Sequence, residues 1–173
     1  TGVMVIPTPS FFFIRWMCSS TVRVCSGYSP PHTRSYMVDL DRTIAYIQKT
    51  EPYASQPLFL LGHSWGGYAV AAGLYFDHDV KACASISGYS DGIQMMMRFA
   101  SVTMGKITAL LRPLAYVEHR ILFGKYATLS AVDGINRANI PVMLIHGTAD
   151  ELVRYDITGI VAHKDEITNP NVV

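Results

Sequence analysis

The sequence has almost no net charge to offer a partner. Its 14 Lys and Arg stand against 13 Asp and Glu, a formal excess of +1 with no blocks of one sign. A chain that neutralises nucleic-acid phosphates needs a basic run or an aromatic stacking platform, and neither is present, so nucleic acid is not an expected partner. Cysteine is scarce and odd in number: Cys18, Cys25 and Cys83 lack the spacing of a zinc or iron site and read as reduced thiols of a cytoplasmic protein. No metal is expected. Long apolar runs are missing as well. Residues 1–20 are hydrophobic and aromatic, but Pro7, Pro9 and Arg15 interrupt them far short of the ~20 residues a membrane-spanning helix needs, and no basic start marks a signal peptide. Residues 1–35 therefore read as a cut or poorly matched end of a longer protein, with strand pieces at 3–6 and 11–16 and a loop at 26–33.

What is present suits a compact domain, half of its residues being apolar. From Ser35 the pattern is helical, with Met37, Leu40, Ile44 and Ile47 on one face and Asp39, Asp41, Arg42 and Lys49 away from it, and it ends before Pro52. Residues 58–61 read as a short buried strand, 67–75 as a helix, and 80–87 and the run from Ile140 as further buried strands. This alternation implies an α/β fold: a mostly parallel sheet with helices on both faces. Residues 89–139 are more than one crossover helix needs and read as a helical cap inserted between core segments 36–88 and 140–173. Helices are expected at 93–103, at 113–123 with Pro113 in the first position, and at 129–135. Met95, Met96, Met97, Phe99 and Met104 either pack those helices together or roof an apolar acyl group. His119 reads as a polar surface residue.

The most specific chemical signal is Gly62-His63-Ser64-Trp65-Gly66, set between the strand and the small-residue helix. A serine at such a bend sits in a strained conformation with its Oγ clear of the sheet, and the flanking glycines let strand and helix approach without a Cβ clash. The N–H of Trp65, at the helix N-terminus, suits one of the two donors that hold a developing oxyanion. The bland alternative is that Ser64 merely caps the helix.

A second element, His146-Gly147-Thr148-Ala149-Asp150, leaves the strand that runs to Ile145. Asp150 is the candidate acid that orients a catalytic histidine; it could also cap the next helix or close a turn with Gly147. Asp156 is a distant second. A helix suggested by Ile157, Ile160 and Val161, a turn at 169–171 and a strand opening at Val172 follow. His163 is the candidate base by order alone, but it falls within that helix, and the base belongs after one more strand, beyond Val173. Without a base in reach Ser64 is a weak nucleophile. His63 is expected to pack against loops, His146 to be a satisfied polar residue, and His32 and His78 carry no signal.

In these two motifs the chain resembles the α/β-hydrolases, and within them serine aminopeptidase-like and dienelactone hydrolase-like members. The resemblance covers about residues 36–171. It implies a serine hydrolase without a cofactor, acting on a small-molecule ester, thioester or peptide, with the nucleophile at Ser64, an oxyanion N–H at Trp65 and the acid at Asp150. No His-Gly-rich loop for the second oxyanion donor precedes the serine, as though that half of the sheet were absent. The competing readings are a peptidase of the same fold and a non-catalytic relative that binds a ligand or partner.

Overall fold

The structure, a computed structural model, describes residues 3–6, 23–25 and 36–173. The expected strand at 11–16, the loop at 26–33, Cys18 and His32 lie outside the described residues. Among the described residues five parallel strands form one sheet: β1 (Val3–Ile6), β2 (Arg23–Cys25), β3 (Leu58–His63), β4 (Val80–Ile86) and β5 (Val142–Ile145), in the order β2-β1-β3-β4-β5. The sheet thus continues past β3 on the side expected to be missing. β1 is the strand expected at 3–6; β2, three residues long, is too short to show a period and was not expected. Beyond β5, a parallel bridge joins Val142 to Val172, and Leu144 N–H donates to the Val173 carbonyl at 2.8 Å. The strand expected from Val172 begins there.

Three helices pack around the centre: α1 (Tyr36–Ile47), α2 (Trp65–Gly73) and α5 (Ala131–Arg137). On α1, Leu40, Ile44 and Ile47 are buried, as their spacing requires. Residues 66–73 of α2 are all buried, which a helix of Gly, Ala, Val and Tyr allows because its neighbours can come close. A Cβ on Gly73 would lie 2.7 Å from Leu40 Cδ2, and one on Gly134 of α5 would lie 2.1 Å from the Ala71 carbonyl oxygen. Asn169 ties the last turn to this centre, its Nδ2 donating to the carbonyls of Ile135, Ala138 and Ile140 at 3.1, 2.8 and 3.2 Å. On the sheet face turned away from α2, Phe59, Met143 and Ile145 are exposed.

Between β4 and α5 stand α3 (Gly92–Met104) and α4 (Thr108–Phe123), packed on one another and joined by a turn through Gly105. Pro113 is the sixth residue of α4, not its first. The turn after α3 starts the helix earlier, and Leu110, Leu111, Leu114 and Ala115 around the proline are strong helix formers. After β5 the expected helix does not form. Residues 151–158 are turns, and the 3₁₀ stretch Ile160–Glu166 is broken at His163 (φ −105°, ψ 22°). Its apolar spacing serves local burial, Ile160 being 1% exposed. Among the described residues no helix is long and apolar enough to cross a membrane.

Gly134→Ala is expected to lower stability by about 1–3 kcal/mol, the cost of overpacking a close backbone approach. Urea unfolding of the variant beside the parent chain measures it.

Candidate active site

Ser64 is the one residue between β3 and α2. The bend is sharp because two backbones nearly touch: a Cβ on Gly62 would lie 2.1 Å from the Gly66 carbonyl oxygen. Ser64 itself adopts φ 54° and ψ −115°, a conformation that side-chain-bearing residues rarely occupy and that stores strain. Its N–H donates to the Ile86 carbonyl at 2.8 Å and its carbonyl accepts from Tyr68 N–H at 3.0 Å, so β4 on one side and the first turn of α2 on the other hold it there. Its side chain makes no capping hydrogen bond, which removes the reading of Ser64 as a simple helix cap. Trp65 opens α2, its ring edge-on to Tyr89 at 5.5 Å, and Tyr89 stacks on Tyr68 at 4.7 Å. The buried Tyr68 hydroxyl donates to the Leu129 carbonyl at 2.8 Å, and burial, aided by Asp91 and Asp133, raises its pKa.

The parallel ladders bring the strand ends to one level. His63 registers with Ile86 and Ile86 with Ile145, so Ser64, Ser87 and His146 leave the same carboxyl edge of the sheet. With strands about 4.8 Å apart, Ser64 and His146 are separated by on the order of 10 Å. Asp150 lies in the loop at that edge. Its N–H donates to the Gly147 carbonyl at 3.1 Å, and its Oδ1 accepts from the N–H groups of Leu152 at 3.0 Å and Val153 at 2.9 Å. The turn-closing geometry foreseen as the alternative is therefore present, and Oδ2 takes neither of those amide bonds. Burial pushes the Asp150 carboxyl up, but the Val153 N–H, the neighbouring Ser87 hydroxyl, the Leu152 N–H and nearby His146 together outweigh it and hold the group below the usual carboxylate range.

The histidines are not gathered at Ser64. His146, its side chain 2% exposed, donates from Nε2 to the Val153 carbonyl at 2.8 Å and stands 3.9 Å from Asp150 Oδ2, beyond hydrogen-bond range. It is a satisfied polar residue that pins the loop. His163 pairs through Nδ1 with Glu166 Oε1 at 2.8 Å, and its buried Nε2 has no partner. None of its bonds reaches Ser64 or Asp150, because the broken 3₁₀ stretch directs it toward its own turn. His63 is exposed at the end of β3 rather than packed against loops, since the alternation that buries Gly62 turns it outward. His119 is half-buried, with Nδ1 unpartnered and its ring edge-on to Phe123, and burial lowers its pKa; it is not a solvated surface residue. Asp156 is exposed and paired with Arg154 at 2.6 Å.

Ser87 was missed by sequence reasoning. It has a positive φ of 47° and donates its N–H to the Ile145 carbonyl at 2.8 Å. The available signal was Ser-Gly directly after a buried strand, a third loop at the same edge. Among the described residues no group of three or more His, Cys, Asp or Glu could hold a metal ion.

Two outcomes follow from this geometry. Ser64→Gly relieves the positive φ whereas Ser64→Ala keeps it, so the glycine variant is expected to be more stable by about 1–2 kcal/mol, read from paired denaturation curves. Asp150→Asn is expected to cost about 1–3 kcal/mol at pH 7. Because the folded carboxyl titrates below the unfolded value of about 3.9, its contribution is present above that pH and is lost as pH falls through the folded value. The difference between the two chains should therefore shrink toward pH 3 in a pH series of unfolding curves.

Residues 26–132 match the profile of the serine aminopeptidase S33 family. The matched span starts before Ser35, includes Ser64 and ends short of Asp150. No protein of curated function matches the chain. Solved structures share the fold. The Pyrococcus furiosus esterase Pf2001 superposes with a TM-score of 0.61 at 16% identity over 98% of this chain and 70% of that one, and acetyl xylan esterase 1 from Thermoanaerobacterium sp. JW/SL YS485 with 0.62 at 11% over 96% and 64%. The acylaminoacyl peptidase of Pyrococcus horikoshii gives 0.60 at 18% over 95% and 30%. Against a second crystal form of the Pf2001 esterase the chain spans 49% of that protein's length. With most of its length matched by the family profile and its sheet shared with those structures, the chain belongs to the serine aminopeptidase S33 family and carries an incomplete α/β-hydrolase fold.

Proposed function

We propose that the chain carries the nucleophile and acid of a serine hydrolase that cleaves a carboxylic ester or related acyl bond. The observation that supports this most is the backbone of Ser64, φ 54° and ψ −115°, at the bend between β3 and α2. In this reading the bend is a nucleophile elbow. Strain of about 1–3 kcal/mol persists only where its surroundings enforce it, and here it leaves a hydroxyl with no hydrogen bond to a described residue.

The steps are those of acyl transfer. Ser64 Oγ attacks the substrate carbonyl carbon while its proton passes to a base, and the Trp65 N–H donates to the oxyanion that forms. The base returns the proton to the leaving alkoxide as the carbon–oxygen bond breaks, giving an acyl-enzyme on Ser64. Water then attacks the acyl carbon as the base takes its proton, and the base returns that proton to Ser64 Oγ as the acyl bond breaks and the acid is released. Asp150 orients the base and stabilises its protonated form. No step draws on a cofactor. The base is assigned to a histidine following the strand that opens at Val172, in preference to His163, whose Nδ1 is already bound to Glu166. The hairpin of α3 and α4 would serve as the cap that selects the acyl group. The chain is placed in the cytoplasm with its thiols reduced, which suits buried Cys83, its thiol pushed up to about 12 by burial. An ester or thioester is preferred over a peptide because amide cleavage demands more of the base.

A non-catalytic relative that binds a ligand or partner is the competing reading. It is favoured by one observation, that no described histidine hydrogen-bonds Ser64 or Asp150. A fluorophosphonate probe separates the two. The full-length parent is expected to label at Ser64 and to lose at least 1,000-fold of its ester turnover in Ser64→Ala, with residues 1–173 alone far slower than the parent. A parent that does not label, and whose turnover is unchanged in Ser64→Ala, would establish the binding protein instead.

A further inference from the structure

We propose that the space between α3 and α4 is a binding site for an oxyanion, a carboxylate or phosphate group. A cavity of about 440 Å³ lies there, closed on one side by Ile157 and Thr158 of the loop that follows Asp150. Its polar lining is Gln94, Arg98, Ser101, Thr108, Arg112 and Thr158, with no acidic side chain among the residues that line it. The hollow next to it differs: Asp150, Glu151 and Asp156 line that one beside Arg98 and Arg154.

Three features converge on the cavity. Thr108 is 3% exposed and its hydroxyl is buried without a hydrogen-bond partner. Buried hydroxyls are almost always satisfied, so an orphan against a cavity points to a missing group there. Thr108 is also the first residue of α4, a 16-residue helix whose preceding residue, Ile107, offers no side-chain cap. A 3₁₀ turn at Gly105–Ile107 leads into α4, and Gly105, Thr108 and Ala109 line the cavity, so the positive end of the helix dipole lies beside it. Finally, Arg112 stands one turn along α4 from Thr108, lines the cavity and makes no ion pair with a described residue. Arg98 is held across from it, donating to the carbonyls of Glu151 at 2.8 Å and Leu152 at 3.2 Å, and Asp156 lies within its electrostatic reach. Two guanidinium groups and an unpartnered hydroxyl are donors beside the positive end of a helix, and a planar or tetrahedral oxyanion satisfies them together.

The orientation of α4 supports this reading. Thr108 and Ala115 are the buried positions of α4 and Arg112 is an exposed residue at the rim of the cavity, while Leu110, Leu114, Val117 and Ile121 on the opposite side are 78, 65, 52 and 77% exposed. The buried Thr108 hydroxyl is left unsatisfied unless something occupies the space. Because Arg98 bonds the loop that carries Asp150, the anion is either the charged end of a substrate or a free anion that braces that loop.

Binding is tested without activity, by calorimetric titration of the whole chain with inorganic phosphate and with succinate. One saturable site is expected, weakened at least tenfold in Arg112→Gln and in Thr108→Val, and unchanged in Lys125→Gln, an equal loss of charge outside the cavity. No saturable binding, unaltered binding in Arg112→Gln, or an equal loss in Lys125→Gln would overturn the proposal. The source is separated by p-nitrophenyl butyrate and a p-nitrophenyl ester with a terminal carboxylate. A KM raised in Arg112→Gln only for the charged ester identifies the substrate's own anion; phosphate binding with both KM values unchanged identifies a free anion. Both esters are assayed on the full-length parent; if it turns over neither, the hydrolase reading fails and the titration still decides the site.

Discussion

The close approach of Gly62 to Gly66 is the constraint on which the rest of the molecule depends. With less room than a methyl group requires between them, β3 can only enter α2 through a single residue. That residue must turn through a positive φ, and Ser64 does so because its N–H is held by β4 and its carbonyl by the first turn of α2. The same closeness continues along the helix. Gly67 faces Ser85 and Gly88, Gly73 faces Leu40, and α5 presses Gly134 against the carbonyls of Ala71 and Ala72. A larger side chain at any of these positions would push an element away, and with it the backbone that holds the serine in its strained state.

Register carries that local constraint across the sheet. Because β3, β4 and β5 are parallel and end at matched positions, Ser64, Ser87 and His146 emerge together. The loop after β5 is then stitched to the loop after β4: Ser90 N–H donates to the Thr158 carbonyl at 2.9 Å and Ile160 N–H to the Gly88 carbonyl at 3.0 Å. His146 and Asp150 spend their hydrogen bonds on this loop, holding Val153 from its carbonyl and its amide respectively. An ordered carboxylate at the carboxyl edge of the sheet thus comes from the loop's own folding.

Features that rest on local rules were legible in the sequence. The strand, bend and helix around Ser64, the faces of α1 and the strand at β5 follow from runs of apolar residues and from glycine spacing, because each is decided within a few residues. What rests on partners distant in sequence was not. The strand at 3–6 was expected and is β1, but β2 and the joining of both to this sheet rest on backbone pairing with β3 and with each other, which leaves no side-chain pattern to read. The stretch after Asp150 has helical spacing, yet its carbonyls and amides are claimed by the Asp150 cap, by Arg154 and by the Gly88 to Ser90 segment, so only turns and a broken 3₁₀ stretch form.

α4 shows the limit of periodicity most sharply. Its apolar row of Leu110, Leu114, Val117 and Ile121 has the spacing of a buried stripe, and a rule that sends such a stripe inward would place Thr108 in solvent. The structure buries Thr108 and exposes the row. α3 and α4 pack on one another, and the residues of α4 that this packing buries are the small ones, Thr108 and Ala115. Burying one such apolar side chain is worth about 1.5–3 kcal/mol, and an unsatisfied buried hydroxyl costs about 1–3 kcal/mol. In a helix that forgoes the first and accepts the second, both faces remain unfinished, and the inner face has the donors to be completed by an anion.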